Sequence, residues 1–140
     1  KGIGKNVPQL QDKEKVWERY QRVAKAILQN IIASAYPLEY GGLAVGLAKK
    51  AIAGRKGIEI DLSTISLPPE AALFSESLGR IVLTVAPQNK EKFEQILGHA
   101  ASFLGKVGGD SLRIVQKEKI IADVPLSQLE WAYKSPLEGY

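Results

Sequence analysis

Apolar residues recur at spacings of three and four from Val16 through Tyr20, Val23, Ile27 and Ile31, a period that predicts an amphipathic helix from an Asp12 cap to Ala33. Its other face is charged with Lys15, Glu18, Arg19, Arg22 and Lys25, and Arg22 stands four residues after Glu18, the spacing of a helical ion pair. A short apolar run over 32–38 follows, which Pro37 limits to a sheet edge or a strand end. Residues 41–53 return to helical period, with Leu43, Leu47 and Ala51 on one stripe, Ala44, Ala48 and Ile52 beside it, and Gly54 as the C-terminal stop. Strict alternation over 57–62 predicts a strand with Ile58, Ile60 and Leu62 inward and Glu59 and Asp61 outward.

Pro69 opens a short helix over 69–74. The run 81–85, apolar on both faces apart from Thr84, predicts a central strand covered on each side. Pro87 begins a helix that carries Phe93, Ile96 and Leu97 on one face and closes at Gly98. Strands are predicted over 103–107, 112–116 and 119–124, with hairpin-like turns at Gly108-Gly109-Asp110 and Lys117-Glu118. Ser127 and Glu130 have the spacing of a capping box for a terminal helix over 127–133. The expected fold class is α+β: a mixed sheet of four or more strands with helices packed on it.

Composition narrows the chemistry. The 140 residues suffice for one domain, here 11–140, preceded by a glycine- and proline-containing linker over 1–10. No run approaches the roughly 18 apolar residues that span a membrane, and the expected location is cytoplasmic. With no cysteine, thiolate nucleophiles, disulfides and thiolate metal sites are excluded. The single histidine, His99, lies in a Gly-His-Ala-Ala-Ser stretch, where a loop histidine is the ordinary reading. The net charge of +4 is spread among carboxylates, and Trp17, Trp131, Tyr133 and Tyr140 do not group with the cations, so nucleic acid is not an expected partner. The absence of methionine, initiator included, points to a processed chain or to a piece of something longer. For a piece, Leu43, Val45 or Trp131 is expected at the surface where another domain sits, with self-association as the consequence.

Three motifs admit chemistry. Gly41-Gly42 could offer backbone N–H groups to a phosphate at a helix start, or let helix and neighbouring backbone approach closely; Glu39 just ahead repels an anion. Ser75-Glu76-Ser77 could contact substrate or a metal-linked group, or simply end a helix with Glu76 paired to Arg80; no base lies in sequence reach of either serine. Glu59 and Asp61 share one strand face and could serve acid–base or cation chemistry, or form a solvated side.

Several stretches together resemble a known family: Ser34-Ala35, Gly41-Gly42-Leu43-Ala44, Ala51-Ile52-Ala53-Gly54, Gly57-Ile58-Glu59-Ile60-Asp61-Leu62, Leu73-Phe74-Ser75-Glu76-Ser77 followed by Gly79-Arg80, Val82-Leu83-Thr84-Val85-Ala86-Pro87, and Leu104-Gly105-Lys106-Val107-Gly108-Gly109-Asp110. They look like the C-terminal domain of the synthetase (large) subunits of phosphoribosylformylglycinamidine synthase. Those subunits belong to an AIR-synthase-related superfamily that also holds selenophosphate synthetase, the hydrogenase maturation protein and thiamine monophosphate kinase. The resemblance spans about 8–133. It departs at Tyr36-Pro37, where the family has His-Asp, and at Tyr40, where the family has an acidic residue.

The resemblance implies part of a ligase of de novo purine biosynthesis that uses ATP and Mg²⁺ to activate the formamide oxygen of formylglycinamide ribonucleotide. Glutamine-derived ammonia then displaces phosphate and gives the amidine. It implies as partners the remaining synthetase domains, a glutaminase subunit and a small bridging subunit. By this analogy the chain lies near a pseudo-symmetric, non-catalytic nucleotide site, with Gly41, Gly42, Ser75, Glu76 and Ser77 as cofactor contacts, and with no catalytic residue or metal ligand of its own. The competing expectations are a non-enzymatic ligand-binding or assembly module, and another superfamily member such as the hydrogenase maturation protein.

Overall fold

The computed structural model describes residues 12–137, and the linker expected over 1–10 lies outside them. In chain order the elements are α1 (Lys13–Leu28), β1 (Ile32–Pro37), α2 (Gly42–Gly54), β2 (Ile58–Asp61), α3 (Pro69–Phe74), β3 (Ile81–Val85), α4 (Lys90–Leu97), β4 (Gly105–Val107), β5 (Ser111–Gln116), β6 (Lys119–Pro125) and α5 (Leu126–Lys134). They divide into two compact units. Among the described residues one comprises 12–39 together with Glu76–Phe103, the other Tyr40–Ser75 together with 104–137.

In the first unit β1 and β3 form a two-stranded antiparallel sheet, with Tyr36 opposite Val82 and Ser34 opposite Thr84. Val23 and Ala26 of α1 pack with Ile31 and Leu97 at its centre, and Ile81, Leu83, Val85, Phe93 and Ile96 close around them. Asp12 caps α1 as expected, its carboxylate accepting from the Lys15 N–H at 3.2 Å. The helix ends at Leu28, not at Ala33. Asn30 takes a left-handed φ of 55°, and the N–H groups of Asn30 and Ile31 donate to the carbonyls of Ile27 and Ala26. That paired closure is a Schellman motif with asparagine in the usual glycine position, so no glycine announces it. Of the predicted inward positions Val16, Val23 and Ile31 are buried, whereas Tyr20 and Ile27 are exposed, as are Trp17 and Leu28.

The expectation of a central, doubly covered strand over 81–85 is corrected. Among the described residues β3 pairs with β1 alone and all five of its residues are half-buried. Pro87 does open the following helix, through a turn of 3₁₀ helix over Pro87–Asn89, and Gly98 closes α4 with φ 50°.

The second unit holds a four-stranded mixed sheet in the order β4-β2-β5-β6, with β2 parallel to β5 and the outer pairs antiparallel. An α+β fold with a mixed sheet of four strands is therefore present. Ile58, Ile60 and Leu62 are buried while Glu59 and Asp61 are exposed, which matches the alternation. Leu43, Leu47 and Ala51 of α2 are buried, and α2 packs against α3, α5 and β5. Lys117 and Glu118, both at positive φ, turn β5 into β6 as a hairpin.

The hairpin expected at Gly108-Gly109-Asp110 does not form, because β2 lies between β4 and β5. Gly108 donates to the Gly57 carbonyl and Gly57 to the Gly109 carbonyl, both at 2.9 Å, so this segment clamps the start of β2. Gly54 is also not the left-handed stop of α2. Arg55 takes that position with φ 48°, its N–H and that of Lys56 returning to Ile52 and Ala51. The capping box at Ser127 is absent: α5 begins one residue earlier behind Pro125 and has no side-chain cap. Of the three apolar residues considered for the surface, Trp131 is 67% exposed, Val45 half-buried and Leu43 buried. No helix among the described residues is long and apolar enough to cross a membrane.

Candidate functional site

Gly41 and Gly42 start α2 with φ of 79° and 61°, backbone values that side chains rarely take. A Cβ on Gly42 would stand 2.6 Å from the Ser75 carbonyl oxygen and 2.7 Å from that of Leu73. Gly42 therefore lets the start of α2 lie against the backbone at the end of α3. A Cβ on Gly41 would strike the Val45 side chain. The helix start carries no side-chain cap and no acidic residue in its first turn. A first turn of backbone N–H groups without a carboxylate suits a phosphate oxygen, although the flank at Gly42 is filled by carbonyl acceptors.

The five residues expected to contact a cofactor fall in both units: Gly41, Gly42 and Ser75 in one, Glu76 and Ser77 in the other. Gly42 and Ser75 are brought together. Ser75 ends α3, its N–H donating to the Ala71 carbonyl at 3.2 Å, and what it turns toward Gly42 is its own carbonyl. Glu76 and Ser77 are exposed, and the Ser77 carbonyl accepts from Arg80 Nε at 3.5 Å. Burial lowers the pKa of the Arg80 guanidinium.

Asp61 accepts from the Ser63 N–H at 2.8 Å and from the Ser63 hydroxyl, and these bonds hold its carboxyl below the ordinary value. It is thereby a turn-forming carboxylate and not a proton donor near neutrality. Glu59 lies opposite Lys106 on β4 and Arg113 on β5 in a solvated row of alternating charge. No three His, Asp or Glu residues among the described residues gather as a metal site.

A depression that periodicity does not announce lies in the first unit. Lys15, Glu18, Arg19 and Arg22 of α1 face His99 and Ala100, which follow α4, around about 140 Å³. The signal available in the sequence was the run of cations on the polar face of α1; the turn that carries His99 is placed against it only by the tertiary packing of α4.

The description "AIR synthase related protein, C-terminal domain" fits residues 2–117, and the chain belongs to that family. Within it the chain is similar to phosphoribosylformylglycinamidine synthase subunit PurL of Methanocaldococcus jannaschii, 35% identical over 91% of the chain. It spans 18% of the length of that relative. The fold is shared with PurL of Thermotoga maritima, solved in complex with FGAR (TM-score 0.76, 18% identity, 86% of this chain and 22% of that one) and in complex with ATP (TM-score 0.70, 17% identity, 80% and 21%). It is shared more distantly with the hydrogenase maturation protein HypE in complex with ATP (TM-score 0.61, 14% identity, 78% and 41%).

Proposed function

We propose that this chain is the C-terminal AIR-synthase-related part of an ATP-dependent formylglycinamide ribonucleotide amidotransferase, acting in purine biosynthesis in the cytoplasm. Its role is structural: it completes the synthetase body and does not catalyse amidine formation by itself. The observation that carries the reading is the 35% identity to a PurL subunit across nine-tenths of the chain. In such an enzyme ATP and Mg²⁺ supply activation of the formamide oxygen. The partners are the remaining synthetase domains, a glutaminase subunit and a small bridging subunit. Gly41, Gly42 and Ser75 in one unit, and Glu76 and Ser77 in the other, are carried over as nucleotide contacts. The first turn of α2 would supply N–H donors, while the metal ligands would come from elsewhere in the enzyme. The weaker similarity to HypE makes a hydrogenase maturation role the lesser reading.

The test is a chimera in which this chain replaces the matching segment of the Methanocaldococcus jannaschii PurL subunit. Ammonia-dependent formation of formylglycinamidine ribonucleotide within tenfold of the parent supports the proposal. A chimera that folds and binds ATP but makes no product overturns it.

A further inference from the structure

The depression between α1 and the end of α4 has an uneven balance of charge. Lys15, Arg19 and Arg22 are cations and Glu18 is the one carboxylate that lines it. Glu18 is already engaged: its Oε1 accepts from Arg22 Nη2 at 2.6 Å and Nε at 3.2 Å, and the guanidinium holds its carboxyl below the ordinary range. The second arm of Arg22, Nη1, donates to the carbonyls of Ile96 and Leu97 at 3.3 and 3.4 Å. Those carbonyls are the negative end of α4, so Arg22 cancels both features that would repel an anion.

Three groups remain. Arg19 gives one N–H to the Gly79 carbonyl at 3.3 Å, out of the five a guanidinium carries. His99 stands exposed on the turn Gly98–Ala100 and has no hydrogen-bond partner among the described residues. Lys15 is tied to Asp12 at 2.6 Å, with its side chain 78% exposed and further ammonium donors available. A forked donor, an imidazole and an ammonium around an open space of this size match a tetrahedral oxyanion.

We propose that this depression binds a phosphate-type anion, with Arg19 and His99 as hydrogen-bond donors, Lys15 as added charge and the Glu18–Arg22 pair as its fixed wall. The volume suits one phosphate group and water, and the open side lets a phosphomonoester keep its organic part outside. The inference does not depend on the family assignment.

The experiment is an NMR titration of the isotope-labelled chain at constant ionic strength, with inorganic phosphate in one arm and ribose 5-phosphate in the other. Saturable shifts at Arg19, His99 and Ala100 are expected, with affinity at least fivefold weaker in Arg19→Gln and His99→Asn. Because Arg19→Gln also removes the Gly79 contact, Lys15→Gln, at an exposed side chain, is the independent check and should weaken binding at least twofold. Tighter binding of ribose 5-phosphate supports the site with a phosphomonoester as its ligand, and equal or weaker binding supports it with free phosphate. Shifts that stay linear in both arms, or affinity unchanged in all three variants, would overturn the proposal.

Discussion

The two units use their apolar residues differently. β2 reads Ile-Glu-Ile-Asp and β3 reads Ile-Val-Leu-Thr-Val, so β3 is the more apolar strand; yet Ile58 and Ile60 are buried while every residue of β3 is half-exposed. The difference lies in neighbours. β2 is hydrogen-bonded on both edges, to β4 and β5, in a sheet on which α2 packs, whereas β3 has one strand partner. Apolar content sets how much surface a strand can bury, and sheet position decides how much it does. β3 keeps half of its apolar surface open beside its one strand partner.

The largest effect should come from a close backbone approach at positive φ in the four-stranded unit. Gly42→Ala adds a methyl against two carbonyl oxygens at a positive φ, so overpacking and backbone strain act together. A loss of about 3 kcal/mol or more is expected, read as a fall in the denaturation midpoint of the α2 and β2 amides by hydrogen exchange. A loss below about 1 kcal/mol would mean that α2 and α3 separate easily, and the close-packing account of Gly42 would fail.

Next comes a matched pair of truncations. Ile60→Ala in the four-stranded sheet should cost about 3 kcal/mol, and Leu83→Ala in the two-stranded sheet about half as much, because half-buried side chains lose less apolar contact. Equal losses by urea denaturation would erase the contrast between the strands.

Only the β2 side of this contrast was legible in the sequence, because the apolar run 81–85 reads as a covered central strand where β3 is half-exposed. Alternation over 57–62 and the Leu43, Leu47 and Ala51 stripe are local patterns, and local patterns report which side chains face inward. Strand order is not local: nothing in Gly108-Gly109-Asp110 says that β2 enters between β4 and β5. Helix ends were misplaced for a related reason. Asn30 and Arg55 occupy left-handed positions where glycine is the usual marker, so local pattern alone points to Gly54 and to Ala33 as the helix ends. The double glycine was legible as a helix start, but its dual reading turned on the Leu73 and Ser75 carbonyls, some thirty residues away. The cationic depression needed α4 to set His99 beside α1.

The misplaced glycine yields a smaller, opposite effect. Gly54 is helical with open space around its Cβ position, and Arg55 carries the left-handed strain. The double variant Gly54→Ala, Arg55→Gly moves the glycine to where the closure needs it and should stabilise the four-stranded unit by about 1 kcal/mol. The measurement is again amide exchange in α2; no gain there would mean that the Arg55 side chain compensates its backbone.

The smallest effect separates the units by acid. In the four-stranded unit Asp61 is held below its ordinary pKa of 3.8 by the Ser63 hydroxyl and N–H; in the other, Glu18 is held below 4.5 by Arg22. Both folded values are lowered. Each contribution is therefore fully present above the ordinary value and is lost as pH falls through the lowered folded one. Asp61→Asn should flatten the pH dependence of stability below about pH 4 only for the β2 and β5 amides, and Glu18→Gln only for those of α1. Both groups are solvated, so the slopes are small, but their location is diagnostic. If Asp61→Asn flattened the response of α1 as strongly as that of β2, acid would be opening both sheets as a single cooperative unit, and the division drawn from β2 and β3 would not extend to their unfolding.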